Sequence, residues 1–73
     1  MASELETYAQ YHFKVYLRIN GDSTEARVRA GSLSLSCNGK SPEKALREMA
    51  EMLTFLLETH ESKIHLHVQP EEP

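Results

Sequence analysis

The sequence predicts an α+β domain: an antiparallel three-stranded meander, one amphipathic helix on one face of it, and a C-terminal fourth strand, in the order β-β-β-α-β. Three observations carry this. Four segments alternate apolar and polar residues, as half-buried strands do. Glycine-containing dipeptides separate the first three segments at hairpin spacing. Between the third and fourth lies one stretch with helical period and its own start signal.

The first segment, 11–19, places Tyr11, Phe13, Val15, Leu17 and Ile19 on one face and His12, Lys14, Tyr16 and Arg18 on the other. Asn20-Gly21 follows, and a type I′ hairpin turn wants positive φ at both of its central positions. A turn there pairs Leu17 with Thr24, Val15 with Ala26, Phe13 with Val28 and Tyr11 with Ala30. The polar stretch Gly21-Asp22-Ser23-Thr24 offers a longer loop as the alternative, which changes partners but not faces. Ala26, Val28 and Ala30 alternate inward in the second segment, with Glu25, Arg27 and Arg29 outward. Gly31-Ser32 fits a type II′ turn, with glycine first. The third segment turns Leu33, Leu35 and Cys37 inward and Ser34 and Ser36 outward, pairing Ala30 with Leu33, Val28 with Leu35 and Ala26 with Cys37. Apolar residues then oppose apolar ones, which fixes register in a one-sided sheet.

Asn38-Gly39 ends the third strand. Ser41 is the expected N-cap, Pro42 the first helical residue and Glu43 a favourable charge at the positive end of the dipole. The helix is predicted to run to about Thr59. Ala45, Leu46, Met49, Ala50, Met52, Leu53, Leu56 and Leu57 form its apolar stripe, opposite Lys44, Arg47, Glu48, Glu51, Thr54 and Glu58. In the last segment Ile64, Leu66 and Val68 point inward and Lys63, His65, His67 and Gln69 outward, before Pro70 stops the strand. A right-handed crossover places this strand parallel to the first, in the sheet order 3-2-1-4; pairing with a second chain is the alternative.

At 73 residues, the chain has room for one domain, assigned to 10–70. Residues 1–9 read as flexible or as a short helical turn, with Ser3 and Glu6 as a capping box, and 71–73 as frayed. Apolar residues make up 40% of the chain, which allows a core. No apolar run approaches the ~20 residues of a membrane span, and no signal peptide is expected, since the start Met1-Ala2-Ser3-Glu4-Leu5-Glu6 is acidic and lacks an apolar run. The single cysteine, Cys37, excludes an internal disulfide, and cytoplasmic residence follows as the default. A net charge of −3 argues against a general nucleic-acid binder.

The distribution of that charge is more informative. One helix covers one face of the sheet, and the other face has nothing in this chain to cover it. His12, Lys14, Tyr16, Arg18, Arg27, Arg29, Lys63, His65 and His67 all fall there, with Glu25 as the only acid. Solvated strand residues account for such a face in the plain reading. In the functional reading Lys14, Tyr16, Arg18, Arg27 and Arg29 meet an anionic partner, either an acidic protein surface or nucleic acid. Phe55 projects from the helix among Glu48, Glu51 and Glu58, either as a lone exposed apolar residue or as a protein contact or dimer seam.

No catalytic constellation is present. His65 and His67 lie on one side of a strand, but a zinc site wants three or four ligands, and a third would have to come from His12 or a distant acid. The pair therefore reads as solvated, with no metal and no cofactor expected. His60 reads as a histidine at the helix C-terminus and Cys37 as a small core residue. No nucleophile–base motif and no glycine-rich phosphate loop occurs, so the chain is not expected to be an enzyme.

The segment Cys37-Asn38-Gly39-Lys40-Ser41-Pro42-Glu43-Lys44-Ala45-Leu46, continuing to Leu57-Glu58, resembles the strand-Gly-x-Ser/Thr-x-Glu-x-Ala-Leu-helix passage of HicB-type antitoxins. The preceding hairpin is similar in length and order. Where that family carries an Asp-Leu-Pro-Gly-Cys-like stretch, this chain has Ser32-Leu33-Ser34-Leu35-Ser36. The resemblance implies a sheet with one helix, similar to the double-stranded-RNA-binding fold. The expectation from all these readings is a small non-enzymatic regulatory protein acting by protein contact, an antitoxin-like or phage-type inhibitor, and a homodimer. A nucleic-acid-binding domain using the basic sheet face is the alternative.

Overall fold

In the computed structural model, which describes residues 9–70, the four expected strands and the expected helix form. The elements are β1 (Tyr11–Asn20), β2 (Ser23–Ala30), β3 (Leu33–Gly39), α1 (Pro42–Leu57), a 3₁₀ turn (Glu61–Lys63) and β4 (Ile64–Gln69). The four strands make one mixed, mostly antiparallel sheet in the order β3-β2-β1-β4, with β4 parallel to β1. The turn expected around Ser3 and Glu6, and the end at 71–73, lie outside the described residues.

The β2–β3 register is the expected one, Ala30 opposite Leu33, Val28 opposite Leu35 and Ala26 opposite Cys37. The β1–β2 register is not. The turn falls on Gly21-Asp22, so that Asn20 pairs with Ser23, Leu17 with Ala26 and Val15 with Val28. Gly21 takes φ +64°, and Asp22 is not in the positive-φ region. That is the pattern of a II′ turn, glycine first, the same as at Gly31 with φ +63°. Ser23 Oγ donates to Asn20 O at 3.1 Å and closes the turn. The shift is two residues, so every side chain keeps its face. What changes is partnership: the β-branched pair Val15/Val28 now sits side by side under the helix, and both residues are fully buried.

Ser41 caps α1 as expected, its Oγ accepting from the Lys44 N–H at 3.2 Å. The helix ends earlier than expected, at Leu57. Glu58 adopts the left-handed conformation (φ 51°, ψ 48°). The Glu58 N–H donates to Phe55 O and the Thr59 N–H to Thr54 O, a Schellman closure without its usual glycine. His60 consequently lies beyond the helix, at the start of the 3₁₀ turn.

The core consists of Val15, Ala26, Val28, Ala45, Met49 and Leu53, all 0% exposed. Phe13, Leu17, Leu33, Leu35, Cys37, Leu46, Ile64 and Leu66 pack around it. The buried stripe of the helix is narrower than expected. Ala45, Met49 and Leu53, four residues apart, are buried, while Leu56 is 50% exposed. The helix packs on β3 and β2 and, less extensively, on β4. Ile19 and Val68, on the inner face by parity, therefore remain partly in solvent.

Gly39 brings the helix down onto β3. A Cβ at this position would stand 2.5 Å from the Ala45 backbone nitrogen and 2.8 Å from the Lys44 carbonyl carbon.

The outer sheet face as a candidate binding surface

Strand alternation turns the side chains of even-numbered β1 residues and odd-numbered β2 residues away from the helix, and register sets them in rows. Arg18 lies opposite Glu25, and Glu25 opposite Asn38. In the next row Ser36, Arg27, Tyr16 and Gln69 run across all four strands. Ser34 pairs with Arg29, and Lys14 with His67. Lys14 adjoins Val15 and Arg29 adjoins Val28, and these two valines pair, so Lys14 and Arg29 continue the alternation into one row. The last row pairs His12 with His65.

The five residues singled out in the sequence, Lys14, Tyr16, Arg18, Arg27 and Arg29, thus fall in three consecutive rows on one face. Lys14, Arg18 and Arg29 are exposed, while Tyr16 and Arg27 are half-buried. No helix lies against this face among the described residues, since α1 occupies the other. Phe55 is separate from it, 82% exposed on the far side of the helix.

The sequence did not foretell how closely three of the four histidines would gather. His12 stacks on His65 with ring centroids 4.7 Å apart and on His67 at 5.2 Å, the planes within 15° and 20° of parallel. His12 Nδ1 and His67 Nε2 share a hydrogen bond of 2.9 Å. His65 Nε2 donates to Gln10 Oε1 at 2.6 Å. All three rings are exposed. Alternation put them on one face, but only the β1–β4 register, between strands some fifty residues apart in the chain, makes them neighbours. Gln10 lies just before β1 and carried no signal of its own.

Cys37 lies on the inner face, half-buried, with its thiol directed at Ala45 O at 3.4 Å. Burial, and secondarily the charge of Glu48, push that thiol up from its ordinary value. It is therefore a packing group and not an activated nucleophile. No group of three or more His, Cys, Asp or Glu stands ready to hold a metal ion among the described residues, and none of the described helices is long and apolar enough to cross a membrane.

Among the described residues, fold and face together define a small α+β domain with one helix and a cationic sheet surface that this helix leaves open. No protein-family model matches the chain, and neither a curated protein nor a solved structure does.

Proposed function

We propose that the protein is a small non-enzymatic binding module that regulates a partner protein by contact, using the outer sheet face against an acidic surface. The observation that supports this is the collection of Lys14, Arg18, Arg27 and Arg29 on a face that α1 leaves open. A chain of net charge −3 that concentrates cations on one side presents a complementary field to an acidic surface, which speeds encounter and rejects basic partners. An inhibitor of the antitoxin or phage type is the form of regulation in keeping with the HicB-like passage at Cys37–Leu46. Phe55 supplies a second contact point, as a seam between two copies of the chain.

One observation favours a second reading, single-stranded nucleic acid. Tyr16 and the stacked rings of His12, His65 and His67 stand beside the cations, and flat rings among cations are what unstacked bases bind.

Affinity capture from native lysate tests the leading reading, run side by side with the wild type, Arg27→Glu/Arg29→Glu and Phe55→Ala. A partner that binds the wild type and is lost from the double charge reversal supports the sheet face. A partner retained equally by that variant removes the face from the proposal. Mass measurement of the Phe55→Ala variant in solution separates the seam: dimer in the wild type and monomer in the variant is the expected result.

A further inference from the structure

We infer that two copies of the chain join edge to edge through β3, antiparallel about a two-fold axis at Ser36, so that two four-stranded sheets become one of eight strands. This places the seam between two copies invoked in the proposed function, and it rests on their meeting. β3 is an outer strand of the sheet, and among the described residues it pairs with β2 alone. An open edge is a template for another strand, and chains that stay apart guard it with charge, proline or a bulge. Leu33–Gly39 has none of the three. It is the one described strand without a Lys, Arg, His, Asp or Glu. β4, the other edge, is guarded: His65 and His67 lie on it, Lys63 precedes it and Pro70 follows it. Assembly through β3 therefore stops at two copies.

The turn before β3 decides which backbone groups face the edge. Gly31-Ser32 is closed by the pair Ala30 and Leu33, and in such a turn the Leu33 N–H donates to Ala30 O. Bonded and non-bonded pairs alternate from there, so Leu33, Leu35, Cys37 and Gly39 bond to β2. Ser34, Ser36 and Asn38 direct their N–H and C=O groups outward. All three residues are exposed and small, so nothing bulky bars a neighbouring strand. A copy turned about Ser36 meets those groups in matching register. Ser36 stands opposite the partner's Ser36 and Ser34 opposite the partner's Asn38, each pair exchanging two backbone bonds. Ser36 is the midpoint of the seven-residue strand, so this register alone uses all of it.

The side chains agree with this register on both faces. On the inner face Leu35 meets the partner's Cys37. Leu35 continues the row of Val15 and Val28, and Cys37 the row of Leu17 and Ala26, so one apolar row crosses the junction unbroken. Val28 and Ala26 are fully buried, while Leu33, Leu35 and Cys37 at the rim are only half-buried. A second copy covers what the helix leaves open there. On the outer face Ser34, Ser36 and Asn38 separate the two sets of cations, and no like charges stand directly opposite each other across the junction. The helix points the same way. Phe55 follows Glu48 by seven residues, about two turns, so both project from one flank of α1. The charge of Glu48 reaches the Cys37 thiol, which sets that flank on the β3 side. Phe55, exposed, thus projects on the side where the copies meet.

The experiment is sedimentation equilibrium of the full chain over a concentration series, with amide hydrogen exchange alongside. The wild type should be dimeric, and the Ser34, Ser36 and Asn38 amides should gain protection as concentration rises. Ser36→Lys and Ser36→Glu, exposed changes outside the core, should each weaken self-association on the order of fivefold, because they bring like charges face to face. Mixed together, the two variants should form a heterodimer tighter than either homodimer, a result that only a residue lying beside its own copy gives. Ser36→Pro, which removes an edge-facing N–H and no bond to β2, should abolish the dimer in a chain whose circular dichroism is unaltered. A wild type that is monomeric throughout overturns the β3 junction and the Phe55 seam together. A dimer that Phe55→Ala dissociates and the Ser36 variants leave intact overturns the junction alone. So does a dimer whose Ser34, Ser36 and Asn38 amides exchange as freely as in the monomer. The outer face is judged separately, by the charge-reversal capture.

Discussion

A hydrogen atom at Gly39 is what lets the helix lie on β3. Any Cβ there would press into the backbone of Lys44 and Ala45 at less than 3 Å, and backbone cannot swing aside as a side chain can. Gly39→Ala should therefore cost about 2 kcal/mol, the usual scale of overpacking, read as a lower urea midpoint; an unchanged midpoint would show that the helix start slides freely. The sequence marked Gly39 as the end of a strand but could not mark it as a point of close approach, because that property belongs to the helix lying over it. Cys37 was legible from parity alone: an inward strand position, and the structure finds it half-buried against Ala45. Its thiol sits above the ordinary value, through burial first and Glu48 second. A raised value means less thiolate at any given pH below it, so alkylation of the folded chain at neutral pH should run slower than that of the urea-unfolded chain. Labelling at equal rates in the two states would contradict the packing described.

The helix shows which ends of an element can be read from sequence. Its start was plain because Ser41, Pro42 and Glu43 each satisfy a separate requirement of a helix N-terminus. Its end was not, because no glycine stands at the closing position. Glu58 takes the left-handed conformation there (φ 51°), and its carboxylate adds negative charge at the negative end of the dipole. Left-handed backbone costs an L-residue roughly 1–2 kcal/mol, and the extra freedom glycine brings to the unfolded chain returns about 0.4–1 kcal/mol of that. Glu58→Gly should thus stabilise the fold by several tenths to about 1 kcal/mol, or a rise of a few degrees in Tm for a chain of this size. A fall in Tm would mean that the Glu58 side chain makes a contact worth more than the strain. The β1–β2 turn was misplaced for a different reason. Asn20-Gly21 and Gly21-Asp22 keep every residue on the same face, so alternation cannot choose between them. The choice rests on packing, which sets Val15 beside Val28 at the centre of the buried cluster.

Across the described residues the charge is weighted by layer, although Lys44 and Arg47 also lie exposed on the helix and Glu25 lies on the outer sheet face. Glu43, Glu48, Glu51 and Glu58 lie exposed along the helix, and Lys14, Arg18 and Arg29 lie exposed on the opposite side of the sheet, with Arg27 half-buried among them. This much of the candidate surface was legible, because period 2 in the strands and 3.6 in the helix assign faces without any knowledge of register. That His12, His65 and His67 share a face was legible, but their contact was not, since it depends on which strand β4 joins. The layered charge also gives the two functional readings different salt responses. Single-stranded nucleic acid releases condensed counterions, so its log K falls with log salt by about 0.7 for every phosphate neutralised. If Arg27 and Arg29 each neutralise one, Arg27→Ala/Arg29→Ala should flatten that slope by about 1.4. An acidic protein surface carries no such condensed atmosphere, and the same pair of substitutions should act mainly on the association rate at low salt. Fluorescence anisotropy with a labelled single-stranded oligonucleotide over a salt series decides the matter. A slope that flattens in the double variant assigns the face to nucleic acid. Binding that is absent at low salt, or has the same slope with and without the two arginines, leaves the face to a protein partner.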